Sequence, residues 1–223
     1  MSDTAAVAPS SAAATSPDAA PPVPTSTPPT PSHTVGPFYG YALPFREGGR
    51  IAPERHPDTI TLHGRVLDGA GDPVPDALLE FWQAAPDGSL KGAPGSMRRD
   101  PFDGGFLGRN GTDFTGFGRV GTDADGHYVV QTLPPGNPGV PYISVCVFAR
   151  GLLHHLFTRA YLVDGDVAGA ADPAHAATSG DALLDSLPAE RRRTLLARAE
   201  PNRSYRFDIR LQGADETVFL QFG

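Results

Sequence analysis

The chain has 223 residues, 24 of them proline and 26 glycine, with one cysteine and a formal charge of −7. A net negative chain has no bulk attraction for nucleic acid or an anionic membrane, and a single cysteine excludes an internal disulfide or a thiolate zinc cluster. No run of about 18 apolar residues could span a bilayer. The start lacks a basic segment followed by an apolar one, so the cytoplasm is the expected compartment.

Residues 1–31 are almost entirely Ala, Pro, Ser, Thr and Val. Such a segment cannot bury enough apolar surface to offset the entropy of ordering, and it reads as a disordered tail. A single domain is expected over residues 32–223. From there the dominant period is two. Ile60, Leu62, Gly64 and Val66 alternate with Thr61, His63 and Arg65, the pattern of a strand with one buried face. A turn follows over 67–73, and 77–83 reads as the next strand, with Phe81 and Trp82 as its bulky members. Residues 91–118 are Gly-rich with few aliphatics and read as a long loop. A hairpin is expected over 120–132 around Asp123-Ala124-Asp125-Gly126. That tetrapeptide does not open an EF-hand, because the twelfth position from Asp123 is Pro134.

Tyr142 to Phe148 reads as an apolar central strand that buries Cys146, and 158–163 as another short strand. A helix is expected over 185–199, with Leu195 and Leu196 inward and Arg191, Arg192 and Arg193 on a solvated face. At the end, Tyr205, Phe207, Ile209 and Leu211 point one way, and Arg206, Asp208, Arg210 and Gln212 the other. Val218, Leu220 and Phe222 close the chain. The sum is an all-β, two-sheet β-sandwich with one short helix and long loops.

Seven histidines are present, but only His154 and His155 are close in sequence. A mononuclear metal site needs three or four converging ligands, and adjacent strand residues point to opposite faces. There is no Gly-x-Ser-x-Gly elbow and no phosphate loop. The residues by themselves describe a sandwich without a self-sufficient catalytic site, and they leave the function open.

Four segments, taken in order, carry a resemblance. They are Thr34-Val35-Gly36-Pro37-Phe38-Tyr39; Leu62-His63-Gly64-Arg65-Val66 with Val74-Pro75-Asp76-Ala77 and Glu80-Phe81-Trp82-Gln83; Phe117-Gly118-Arg119 leading to Leu133-Pro134-Pro135-Gly136; and Phe148-Ala149-Arg150-Gly151 with Thr158-Arg159-Ala160-Tyr161. Together they resemble the intradiol ring-cleavage dioxygenases over about 32–223, and most closely the alpha-type chain of the two-chain enzymes in that family. The resemblance implies a non-haem ferric ion, Fe(III), held by two tyrosinates and two histidines on a beta-type partner chain. It implies cleavage of protocatechuate by dioxygen to 3-carboxy-cis,cis-muconate, in a higher hetero-oligomer of alpha–beta pairs.

The family's ligand positions read differently here. The His-x-His strand becomes Tyr142-Ile143-Ser144, the turn after Pro135-Gly136 continues Asn137-Pro138, and no tyrosine lies between Trp82 and Arg119. No metal ligand is therefore expected in this chain. The resemblance assigns substrate-pocket roles to Arg150, Thr34, Gly36 and Pro37. A cation near the mouth would orient the substrate carboxylate, and Gly36-Pro37 would bring backbone close at fixed geometry. Phe38 stands where the family often has tyrosine. The aromatic-rich segment 35–45 and exposed parts of the central strands are the candidate partner interface. The rival reading is a non-catalytic β-sandwich binding module whose resemblance is only ancestral.

Overall fold

In the computed structural model, residues 34–91, 97–104, 106–109, 112–163 and 179–221 are described. The expected tail, residues 1–31, and Phe222 lie outside them. A four-residue helix α1 (Tyr39–Ala42) opens the described chain. Strands β1 (Ile60–Leu67) and β2 (Leu78–Trp82) follow where the period-two pattern places them. Along β1 the burial alternates as the sequence alternates, with Ile60, Leu62, Gly64 and Val66 all inward.

The stretch read as a long loop contains a short antiparallel hairpin, β3 (Met97–Arg99) and β4 (Phe106–Arg109). Its strands are three and four residues long, too short to leave a periodic signal among glycines. The expected hairpin over 120–132 is corrected in a second way. Strands β5 (Phe117–Gly121) and β6 (His127–Thr132) do flank a tight turn at Asp123–Gly126, where the Asp123 carboxylate accepts from the Asp125 and His127 N–H groups at 2.9 Å each. The arms do not pair with each other. β5 pairs with β2, and β6 pairs with β1. Turn chemistry marks a reversal, but it does not say which strands the two arms join.

Strands β7 (Tyr142–Phe148) and β8 (Leu156–Val163) form the long central ladder. The helix expected over 185–199 is replaced by α2 (Ala182–Ser186), α3 (Ala189–Arg192), a 3₁₀ turn at Arg193–Leu195 and strand β9 (Leu196–Glu200). Pro188 explains the break, since it holds Leu187 extended at ψ 144° and cannot donate into the preceding turn. Beyond the 3₁₀ turn, pairing overrides helix propensity. β9 runs parallel to β8 and antiparallel to β10 (Ser204–Arg206), so its backbone groups are satisfied by two neighbours. Leu195 is buried as expected, and Leu196 is half-buried. A last short strand, β11 (Ile209–Arg210), returns to β1.

The hydrogen-bond ladder runs β6-β1-β10-β9-β8-β7-β2-β5 without a break, with β11 extending β10 along β1. The all-β sandwich is therefore one barrel-like sheet around a main core, with a second, smaller cluster of Tyr161, Leu184, Leu195 and Val218. Leu62 and Val66 of β1, Leu79 and Phe81 of β2, Tyr128 of β6 and Ile143 and Val147 of β7 meet inside. Phe81 and Tyr128 touch across the core at 5.6 Å between ring centres. The Tyr128 hydroxyl donates to the Phe207 carbonyl at 2.5 Å, which satisfies a buried polar group. No helix among the described residues is long and apolar enough to cross a membrane.

Candidate functional site

The segment 34–45 is strapped to the sheet by Arg119 on β5. Its guanidinium donates to the Glu80 carboxylate at 2.7 and 2.5 Å and to the Leu43 carbonyl at 3.0 Å, and it stands 5.9 Å from the centre of the Phe45 ring and 5.5 Å from that of Phe117. This largely buried ion pair, with further donors spent on backbone, is of the kind that holds a segment in one place. One turn earlier, Tyr39 is 6 % exposed. Its hydroxyl makes a short hydrogen bond to the Asp76 carbonyl just before β2.

These anchors carry Thr34, Gly36 and Pro37 to the end of β7, where Ala149 is buried and Arg150 begins a turn. All four residues expected from the resemblance line one open hollow of about 490 Å3, with Tyr39 and Ala149 in its wall. Gly36 and Gly151 both have φ of +87°, a conformation that glycine adopts without strain. Nothing lies within 4 Å of the place a side chain on Gly36 would occupy. Its glycine is therefore explained by the turn and not by crowding inside this chain. Arg150 stands at the rim with its side chain 83 % exposed, and one Nη contacts the Asp76 carboxylate at 2.8 Å. Beside the hollow, Phe38 and Tyr41 are 72 % and 89 % exposed.

Tyr39 and Asp76 belong to segments that mark the resemblance, yet nothing in the sequence pattern singles them out. Only the contact between the strap and the start of β2 gives them a part in the site. His63, expected as a surface strand residue, is half-buried and contacts the Glu200 carboxylate at 2.8 Å. His154 is exposed, while His155 sits between Phe148 and Phe157.

The strand that would carry His-x-His holds a different cluster. The Arg159 guanidinium lies 4.2 Å from the centre of the Tyr142 ring and donates to the Tyr161 hydroxyl at 3.2 Å. Tyr161 in turn donates to Asp181 at 2.9 Å. Ser144 is the cross-strand partner of Arg159. At the turn, the Asn137 side chain accepts from the Tyr142 N–H at 3.2 Å and donates to the Val140 carbonyl at 3.0 Å. Among the described residues no three His, Cys, Asp or Glu side chains converge. Burial pushes the Tyr161 phenol up to about 12, and its hydroxyl is spent on Asp181. The cluster already contains a fixed cation, so these residues do not fit the family's iron.

The same shifts predict alkaline sensitivity. Burial raises Tyr161 from about 10 and Cys146 from about 9, each to about 12. A raised native pKa means that the fold favours the neutral form. That stability is complete below the unfolded pKa and is lost as pH climbs through the folded one. Tm should hold until about pH 9 and then fall toward pH 12. Tyr161→Phe should flatten the part of that fall above pH 10. Melting curves across this range, with Tm unchanged at the top, would contradict the assignment.

The fold and the sequence together define a member of the intradiol ring-cleavage dioxygenase family. The family model described as Dioxygenase matches residues 36–152, more than half the chain. The chain is 42 % identical over 208 residues to the protocatechuate 3,4-dioxygenase alpha chain of Burkholderia cepacia, covering 85 % of this chain and 95 % of that one. It is 34 % identical to the alpha chain of the same name from Pseudomonas putida, covering 86 % and 95 %. The Burkholderia cepacia beta chain is 33 % identical, covering 72 % of this chain and 67 % of that one.

Proposed function

We propose that this chain is the alpha subunit of a protocatechuate 3,4-dioxygenase and forms one wall of a substrate pocket that a beta-type chain completes. The observation that carries the reading is the convergence of Thr34, Gly36, Pro37 and Arg150 on one open hollow, with a cation at its rim. A substrate carboxylate matches a guanidinium in charge and geometry. The exposed Phe38 and Tyr41 rings beside it suit a surface covered by a partner.

In this reading the beta chain holds the ferric ion, which supplies the activation of the catechol toward dioxygen. The alpha chain binds and orients the acid group and excludes water from its side of the pocket. The bond between the two hydroxyl-bearing carbons breaks and both oxygen atoms of dioxygen enter the product, 3-carboxy-cis,cis-muconate. The reaction balances without another oxidant or reductant. Alpha–beta pairs assemble into a larger hetero-oligomer in the cytoplasm.

Co-expression with a beta-type chain bearing the Tyr and His-x-His ligands tests this. The expected result is a co-purifying, coloured complex that consumes oxygen when given protocatechuate. A stable monomer that never associates with such a partner would instead favour the non-catalytic binding module.

A further inference from the structure

We infer that Asp76 is a positioning residue that holds the Arg150 guanidinium in its substrate-binding orientation. This rests on the pocket reading above and adds a residue to it.

Arg150 by itself is poorly placed to hold one geometry. It lies on a turn after β7 and precedes Gly151 at positive φ, and its side chain is largely exposed. A long side chain of this kind loses considerable rotamer entropy when a ligand fixes it. Asp76 is held far more firmly. Its carbonyl accepts the hydroxyl of the buried Tyr39. The next residue, Ala77, is 1 % exposed, and its N–H donates to the Thr122 hydroxyl at 3.0 Å.

The register of the sheet brings the two together. β2 and β7 are antiparallel, with Leu78 opposite Phe148. Asp76 lies in the turn just before β2 and Arg150 in the turn just after β7, so the end of this ladder brings the two turns together, and their side chains meet at 2.8 Å. The carboxylate contacts one Nη, and a guanidinium has five N–H donors, so donors remain for a second carboxylate. An ion pair this exposed contributes little to folding. Its consequence is orientation: the fork is set before the substrate arrives.

The test is a double-mutant cycle in the alpha–beta complex, with KM and kcat for protocatechuate measured for wild type, Asp76→Ala, Arg150→Ala and the double variant. Asp76→Ala should raise KM roughly 3- to 10-fold, the loss of about one hydrogen bond, with the effect on KM and not on kcat. In the Arg150→Ala background the same change should add nothing, because Asp76 acts only through the guanidinium. Independent, additive effects would overturn the inference. So would a lower KM for Asp76→Ala, which would make Asp76 a competitor of the substrate acid. If Arg150→Ala is itself silent, the pocket reading falls and the role of Asp76 with it. If Arg150→Ala weakens binding while Asp76→Ala does not, only the role of Asp76 falls.

Discussion

In the assembled alpha–beta complex, Arg150→Ala is expected to raise KM for protocatechuate by roughly tenfold, with a much smaller change in kcat. The magnitude follows from the interaction lost. A hydrogen bond to a charged group is worth about 1.5–3 kcal/mol, and about 1.4 kcal/mol is a factor of ten. The exposed position of Arg150 in the free chain argues for the lower end, because water and salt screen a charge at a pocket mouth. Interactions made equally with bound substrate and with the transition state appear in KM. A substrate carboxylate remote from the bond being broken is of that kind. Arg150→Lys should recover part of the loss, since a lysine restores the charge but not the two-pronged geometry. The wild-type KM should also rise with ionic strength more steeply than that of Arg150→Ala. An unchanged KM would remove Arg150 from the site.

Gly64→Ala is expected to destabilise the fold by on the order of 3 kcal/mol or to prevent accumulation of soluble protein. Gly64 lies on the buried face of β1, flanked by β6 on one side and by the link between β10 and β11 on the other. A methyl group there would sit 1.9 Å from the Phe207 carbonyl oxygen and 2.5 Å from its carbon. The obstacle is backbone, so no side chain can rotate away. The same carbonyl accepts the Tyr128 hydroxyl, and the Phe207 N–H donates to the His63 carbonyl at 2.8 Å. Any shift that makes room breaks contacts on both sides of β1. Chemical denaturation of Gly64→Ala beside wild type measures the effect, and a loss under about 1 kcal/mol would mean that the two strands are not packed this closely.

The strands that were legible in the sequence are those whose two faces meet different environments. β1 alternates residue by residue, and its burial follows that alternation. Tyr205, Phe207, Ile209 and Leu211 likewise all pack on the core, although the hydrogen-bonded strand is interrupted at Phe207–Asp208. β9 was not legible. Leu-Ala-Arg-Ala-Glu has good helix formers and no alternation, and its strand form depends on β8 and β10 arriving on either side. The two arms of the Asp123 turn show the same limit, because each is recognisably a strand while neither names its partner.

The candidate site divides in a similar way. Thr34, Gly36, Pro37 and Arg150 stand out through the family pattern, and the same resemblance is what draws attention to Asn137, Tyr142 and Ser144, whose residue types differ from the family's ligands. Local composition and periodicity thus determine the all-β class and the buried faces of the principal strands, and the family is carried by the four resembling segments. The tertiary structure alone brings residues 34–37 beside residue 150, sets Asp76 against Arg150, and stacks Arg159 on Tyr142. These contacts join segments distant in the chain. They follow from strand register and from a strap held by Arg119 and Tyr39, which no local pattern encodes.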